Sequence, residues 1–237
     1  MNHKSVVIIV AAGKGVRMGS PKKKQYLCID EVPILTHTVR VFDKSEDTHE
    51  IILVVPKEDL DYCQKYIIDP FKFQKTIHLI QGGKARQDSV FNGLKLVQDM
   101  KDSTRQTIVM IHDGVRPFVD DTIIKNCIKK AVKYGACIPV IKITDTIKQI
   151  SSDSCVKKTL SRRSICCAQT PQTFKLGLIV NAFENAIKTN FSGTDDASLI
   201  EHLKHDVSIV EGSKHNIKIT TPEDLVLGKY LLTLNMS

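Results

Sequence analysis

"VVIIVAAGKGVRMGSPKKKQYL", Val6 to Leu27, passes from an unbroken apolar run into glycines and then into an arginine and three consecutive lysines. An apolar run that does not alternate with polar residues suits a strand covered by helices on both faces. The pattern recurs at Ile51–Val55, Thr76–Ile80, Thr107–Ile111 and Cys137–Ile141. Helical stripes lie between these runs. Ile34, Leu35, Thr38, Val39 and Phe42 share one face after a permitted first-turn Pro33, and Val90, Leu94 and Val97 form another. The order β-α-β-α-β predicts an α/β fold: a doubly wound, mostly parallel, Rossmann-like sheet, in one domain over residues 1–237. Ligands of such sheets sit at the carboxyl ends of the strands, which places "AAGKG", "QGGKAR" and "HDGVRP" at one rim.

Two later segments break the pattern. Residues 142–164, "KITDTIKQISSDSCVKKTLSRRS", alternate apolar and polar residues around a Ser/Asp-rich break, predicting a β-arm that projects from the sheet. A lone hairpin is marginally stable, so a partner subunit is expected to hold it. Near the end, Thr221 is placed to cap a helix, with Pro222 at its first position and Asp224 completing a capping box.

Composition narrows the partner. The chain has 237 residues and a net charge of +8, from 34 Lys+Arg against 26 Asp+Glu, which favours something acidic. It has no Trp, and its five Tyr and eight Phe are scattered rather than interleaved with basic residues, so small phosphates are preferred over nucleic acid. Seven cysteines without a C-x-x-C pair argue against zinc or a disulfide framework and for reduced thiols in the cytoplasm. No apolar run approaches the roughly 20 residues that span a bilayer, and no signal peptide is expected.

Gly13 and Gly15 allow backbone N–H groups to turn toward phosphate oxygens, although a tight strand-to-helix turn uses glycine equally well. Their spacing, G-x-G-x-x-x-G, misses both the dinucleotide fingerprint and the P-loop. Arg17 and Lys22–Lys24 add cations able to neutralise charge that develops as a bond to phosphorus breaks, which points to phosphoryl or nucleotidyl transfer rather than hydride chemistry. Lys22 and Lys23 equally suit a solvated loop. Gly82 and Gly83 permit close approach to a base or ribose, and Ser89 stands in the first turn of the next helix. Asp113, directly after an apolar strand, is the expected Mg²⁺ anchor beside a triphosphate, though an Asp at a strand end also caps turns. Arg116 is placed to steady Asp113 or to meet a second substrate. A nicotinamide dehydrogenase should show a third glycine in register and an acidic residue about 20 positions on, where Ile34 and Leu35 stand instead. A non-catalytic nucleotide-binding module is the remaining alternative.

The segments "AAGKGVRMG", "KQYL", "QGGKARQDSVFNGL", "HDGVRPF", "DTIK", "TLSRR", "AQTPQTF", "TDDASL" and "NIKITTPEDL" occur in an order that resembles the 2-C-methyl-D-erythritol 4-phosphate cytidylyltransferases, from about residue 6 to residue 230. The resemblance implies a nucleotidyltransferase that takes CTP and a sugar-alcohol phosphate, with a divalent cation, Mg²⁺, and no nucleic acid or membrane partner. It assigns Arg17 and Lys24 to charge on the α-phosphate and departing pyrophosphate. Ala11, Ala12, Gly13, Gly15, Gly82, Gly83, Ser89 and Asp113 are assigned to the nucleotide, and Arg116, Thr146, Arg162, Thr170 and Lys218 to the acceptor. Arg162 lies on the arm, so the family pattern implies a homodimer in which it serves the neighbouring site. The family's lysine usually follows a proline, whereas here Pro21 is displaced and Lys23 intervenes, leaving Lys23 as the alternative to Lys24. Where many members carry an acidic residue, this chain has Lys84. Ribitol 5-phosphate cytidylyltransferases share the loop and the cytidine chemistry and are the nearest rival.

Overall fold

The computed structural model describes residues 3–13 and 22–235. The chain begins with β1 (Ser5–Val10), then a 3₁₀ turn Lys24–Tyr26, a small ribbon of β2 (Cys28–Ile29) and β3 (Val32–Pro33), and α1 (Ile34–Lys44). β4 (Glu50–Val55), α2 (Leu60–Cys63), β5 (Thr76–Gln81), α3 (Arg86–Asp99), β6 (Ile108–Asp113), α4 (Asp121–Tyr134) and β7 (Ala136–Lys142) follow. Next come β8 (Lys148–Ile150), β9 (Val156–Thr159), β10 (Cys166–Ala168), β11 (Gln172–Lys175), α5 (Leu176–Lys188), α6 (Asp196–His202), β12 (Ser208–Glu211) and α7 (Pro222–Asn235).

The five strands expected from the apolar runs form β1, β4, β5, β6 and β7, in parallel register where they are neighbours. Across the sheet the order is β12-β7-β11-β6-β1-β4-β5. β11 runs antiparallel between β6 and β7, a strand that the apolar-run pattern does not reveal. β10 continues along the same edge of β7, since Val140 pairs with Ala168 on one side and Glu211 on the other. The sheet therefore remains mostly parallel with one antiparallel insertion.

Alternate residues of each strand enter different layers. Val7, Ile9, Ile51, Leu53, Ile108 and Met110 pack against α1 and α4. Val6, Ile8, Ile52, Val54, Val109 and Ile111 face the opposite way, against α3, α5 and α6. The predicted stripes of α1 and α3 are fully buried in these two layers, each large aliphatic side chain contributing roughly 1.5–3 kcal/mol. At the end of the chain, Thr221 N–H donates to Asp224 Oδ2 at 2.8 Å and Asp224 N–H to Thr221 Oγ1 at 3.3 Å, the reciprocal cap expected there. β8 and β9 form the two-stranded ribbon of the arm, with every strand residue exposed.

The order reverses at β1, which lies between β4 and β6. Their carboxyl ends open a crevice at this switch point, and it is there that Ala11–Gly13, Gly82–Gly83 and Asp113 converge.

Candidate active site

A cleft of about 670 Å³ lies over this rim. Ala11, Ala12 and Gly13 leave β1 into it, Gly82 and Gly83 follow β5, Asp113 ends β6, and Lys24 and Lys218 enter from flanking segments. Five positions expected for the nucleotide, Ala11, Ala12, Gly13, Gly82 and Gly83, together with Asp113 and Ser89, are thus brought to one cavity, which is spacious enough for a nucleotide. Gly15 and Arg17 lie outside the described residues.

Asp113 is the electrostatic centre. Its Oδ2 accepts from Arg116 Nε at 3.2 Å and from Lys218 Nζ at 3.0 Å, while Arg86 Nε stands 3.7 Å from Oδ1. Burial would raise its pKa, but Lys218, Arg86 and Arg116 together hold the carboxyl well below the usual range, so it is a carboxylate at neutral pH. Arg116 also donates to Asn216 O at 2.8 Å and does not line the cleft. Steadying Asp113 is the role the structure gives it. Beneath, His112 Nε2–H donates to Arg116 O at 3.0 Å, Thr170 Oγ1–H donates to His112 Nδ1 at 3.0 Å, and Asp113 N–H donates to Thr170 Oγ1 at 3.2 Å. Burial lowers the His112 pKa to about 4, so at neutral pH the ring is uncharged and its Nδ1 accepts from Thr170. Thr170 is thus engaged behind Asp113 and is not part of the cleft wall.

Lys218 follows β12, and its segment is tied to β10 by Gln169, whose amide donates to Ser213 O at 2.8 Å and Asn216 O at 3.2 Å. Among the lysines after the glycine loop, Lys23 Nζ bridges Asp59 at 2.6 Å and Glu58 at 3.1 Å, whereas Lys24 lines the cleft. Partial burial works against the Lys23 charge, but the two carboxylates hold its pKa above the ordinary value.

At the opposite wall, a Cβ on Gly82 would come within 2.5 Å of Ala12 Cβ and one on Gly83 within 2.2 Å of Asp88 Cβ. Glycine here lets the loop pack against β1's extension and α3, as well as lining the cavity. Ser89 Oγ accepts from Gly83 N–H at 3.0 Å and donates to Ala85 O at 3.0 Å, so its hydroxyl clamps the loop.

Arg86, in the cleft wall, was not singled out by the sequence reading. Its guanidinium forks onto buried Asp196, 3.0 Å from Nη1 to Oδ1 and 2.7 Å from Nη2 to Oδ2. A cation on the first residue of α3 opposes the helix dipole and needs a fixed anion. Burial lowers an arginine's hold on its proton, yet the Asp196 and Asp113 carboxylates raise it overall. Gln172 holds the other side of this junction, its Oε1 accepting from Asp196 and Ala197 N–H, both at 2.9 Å. The available signal was the pairing of "GKAR" with "TDDA", two segments already known to be shared with the family. Thr146 and Arg162 remain on the exposed arm, where the Arg162 guanidinium donates to Thr144 O, and neither reaches this chain's cleft.

The sequence profile of the 2-C-methyl-D-erythritol 4-phosphate cytidylyltransferase family matches residues 5–234. The chain belongs to this family. Proteins of that name from Clostridium novyi and Clostridioides difficile are 43% and 45% identical to it, covering 97% and 96% of this chain and 96% and 93% of theirs. The solved 4-diphosphocytidyl-2C-methyl-D-erythritol synthase of Anaerococcus prevotii superposes with a TM-score of 0.83 at 32% identity, over 98% of this chain and 97% of that one. The cytidylyltransferase of Thermus thermophilus gives 0.76 at 27% identity, over 98% and 99%.

Within this cytidylyltransferase the cleft offers cations on three sides of a single carboxylate. No group of three or more His, Cys, Asp or Glu side chains is placed to hold a metal among the described residues. Asp113 still fits Mg²⁺. The Arg86 Nε beside its Oδ1 stands at 3.7 Å, beyond hydrogen-bond reach, and Mg²⁺ commonly takes one carboxylate, retaining waters and substrate phosphates for the rest. All seven cysteines are unpaired, and no described helix is long and apolar enough to cross a membrane.

Proposed function

We propose that this chain transfers the cytidylyl group of CTP to 2-C-methyl-D-erythritol 4-phosphate, giving 4-diphosphocytidyl-2-C-methyl-D-erythritol and pyrophosphate. The observation that carries the reading is the family match over residues 5–234, on a fold whose switch-point cleft gathers Lys24, Lys218 and Asp113. A phosphate oxygen of the acceptor attacks the α-phosphorus; the new O–P bond forms as the bond to pyrophosphate breaks, and the electron pair leaves with pyrophosphate. An acceptor phosphate is nucleophilic near neutral pH, so the reaction needs no Ser–His or Cys–His pair and no covalent enzyme intermediate.

The residues divide this work. Lys24 and Arg17 bracket the α-phosphate and stabilise the charge that moves onto the leaving group. Ala11, Ala12, Gly13 and Gly15 present backbone to the triphosphate. Gly82 and Gly83 shape the cytosine and ribose side with Ser89, whose clamp on Gly83 supports that assignment. Asp113 is the anchor for Mg²⁺, which, when bound, neutralises phosphate charge and orients the pyrophosphate. Lys218, 3.0 Å from Asp113 at the cleft wall, faces the acceptor phosphate, with Arg116 and Thr170 supporting that side. Thr146 and Arg162 are read as contributions of the arm to the site of a second subunit, which makes the enzyme a homodimer. Its nucleotide substrate and unpaired cysteines suit the cytoplasm.

A pyrophosphate-release panel crossing CTP, UTP and ATP with methylerythritol phosphate and ribitol 5-phosphate tests the reading. Release only with CTP and the methylerythritol phosphate is expected. Activity confined to ribitol 5-phosphate overturns the acceptor, and no release with any pair overturns the catalysis.

A further inference from the structure

Gln25 is 1% exposed, yet it belongs to a polar turn at the edge of the cleft. Its Nε2 donates to Ala11 O at 2.9 Å and to Gly13 O at 3.3 Å. The carbonyl of Val10, one residue earlier, accepts from Gly114 N–H at 2.9 Å. Three carbonyl oxygens at the mouth of the glycine loop are therefore drawn into the protein. Among the described residues, a Cβ built on Gly13 meets nothing within 4 Å.

The direction of these carbonyls matters to an anion. A C=O dipole facing the cleft repels phosphate oxygens, whereas N–H groups attract them. The turn that carries Gln25 is braced on both sides: Lys23 is bridged to Asp59 and Glu58, and Tyr26 O–H donates to Asp59 Oδ2 at 2.8 Å. Asp59 follows β4, so the brace ties the position of Gln25 to the parallel sheet rather than to the loop it serves.

We propose that Gln25 is a positioning residue for the nucleotide: its carboxamide holds the Ala11 and Gly13 carbonyls out of the cleft, away from the triphosphate oxygens. Lys24, one residue before, reaches the same phosphates from the same braced turn, so charge and backbone polarity are set by one element.

This inference rests on the cytidylyl-transfer reading, and the test separates the two. Steady-state pyrophosphate release is measured for wild type, Gln25→Met and Gln25→Glu, varying CTP and the acceptor phosphate separately, with thermal melts alongside. Met keeps length without a donor; a Glu carboxylate offers no donor and gains one only when protonated. The expected result is a KM for CTP raised about ten- to a hundredfold in both variants, with the acceptor KM within about twofold of wild type. For Gln25→Glu, the CTP KM relative to wild type falls as pH drops from about 8 to about 6, because burial raises the carboxyl pKa and protonation restores one donor. Equal losses toward both substrates, an unchanged CTP KM, or variants that lose their melting transition altogether overturn the proposal. Wild type that releases no pyrophosphate overturns the cytidylyl-transfer reading instead.

Discussion

A lysine ammonium serves a phosphate from within the cleft that holds it. Lys23 Nζ lies 2.6 Å from Asp59 and 3.1 Å from Glu58, and Lys24 lines the cleft. Lys24→Ala is therefore expected to lower the rate of pyrophosphate release by about 10²–10³ with little change in melting temperature, as for loss of one transition-state donor. Lys23→Ala should cost less than about tenfold in rate and up to about 1 kcal/mol in stability, as for a partly exposed ion pair. The reverse ranking in the same assay would reassign the two residues. His112 supplies a pH signature. Its folded pKa of about 4 lies below the 6.5 of the free side chain, so the unfolded chain binds the extra proton between those values. Stability is thus full above about pH 6.5 and declines as pH falls toward 4, by about 3 kcal/mol. In urea unfolding, His112→Gln should flatten that part of the acid limb relative to wild type. At this scale strand ends and short motifs led to Asp113, Gly13, Gly82 and Gly83, and the family resemblance to Lys218, all of which line the cleft. Sequence reasoning left Lys23 and Lys24 unresolved, since the carboxylates that bind Lys23 come from a turn more than thirty residues away.

Elements meet in pairs that local pattern does not encode. The strands of the parallel sheet were legible as continuous apolar runs, and α1 and α3 as stripes, because burial on two faces or one imposes those periods. β11 was not legible: Gln172–Lys175 is four residues long with three polar side chains, and it is a strand because β6 and β7 leave a gap that it fills antiparallel. The junction of α3 with α6 follows the same logic. Arg86 and Asp196 are 110 positions apart, and their fork closes one wall of the cleft. Burial pushes the Asp196 carboxyl upward against the pull of Arg86, so the junction depends on both partners being present. Asp196→Ala should destabilise the fold by about 1–3 kcal/mol in equilibrium unfolding, because it leaves a partly buried guanidinium without its bidentate partner. Combining Arg86→Ala with Asp196→Ala should cost less than the sum of the single changes, and strict additivity would show that the fork carries no coupling.

At the scale of the whole molecule, the chain separates a rigid cleft from an exposed arm. Lys24, Asp113 and Lys218 sit at one rim of the sheet, whereas Thr146 and Arg162 remain on the arm outside that cleft. A single chain therefore gathers only part of the acceptor set that the family pattern names. Symmetric exchange of arms in a two-fold dimer would complete both sites at once, each arm serving the other subunit. The consequence is measurable by complementation. Lys24→Ala and Arg162→Ala homodimers should each be nearly inactive. When the two are unfolded, mixed in equal amounts and refolded together, half of the dimers are mixed, and in each of these one site combines an intact Lys24 with an intact Arg162. Pyrophosphate release should recover to about a quarter of the wild-type rate. If Arg162 instead serves its own subunit, every site in the mixture carries one defect and no recovery occurs.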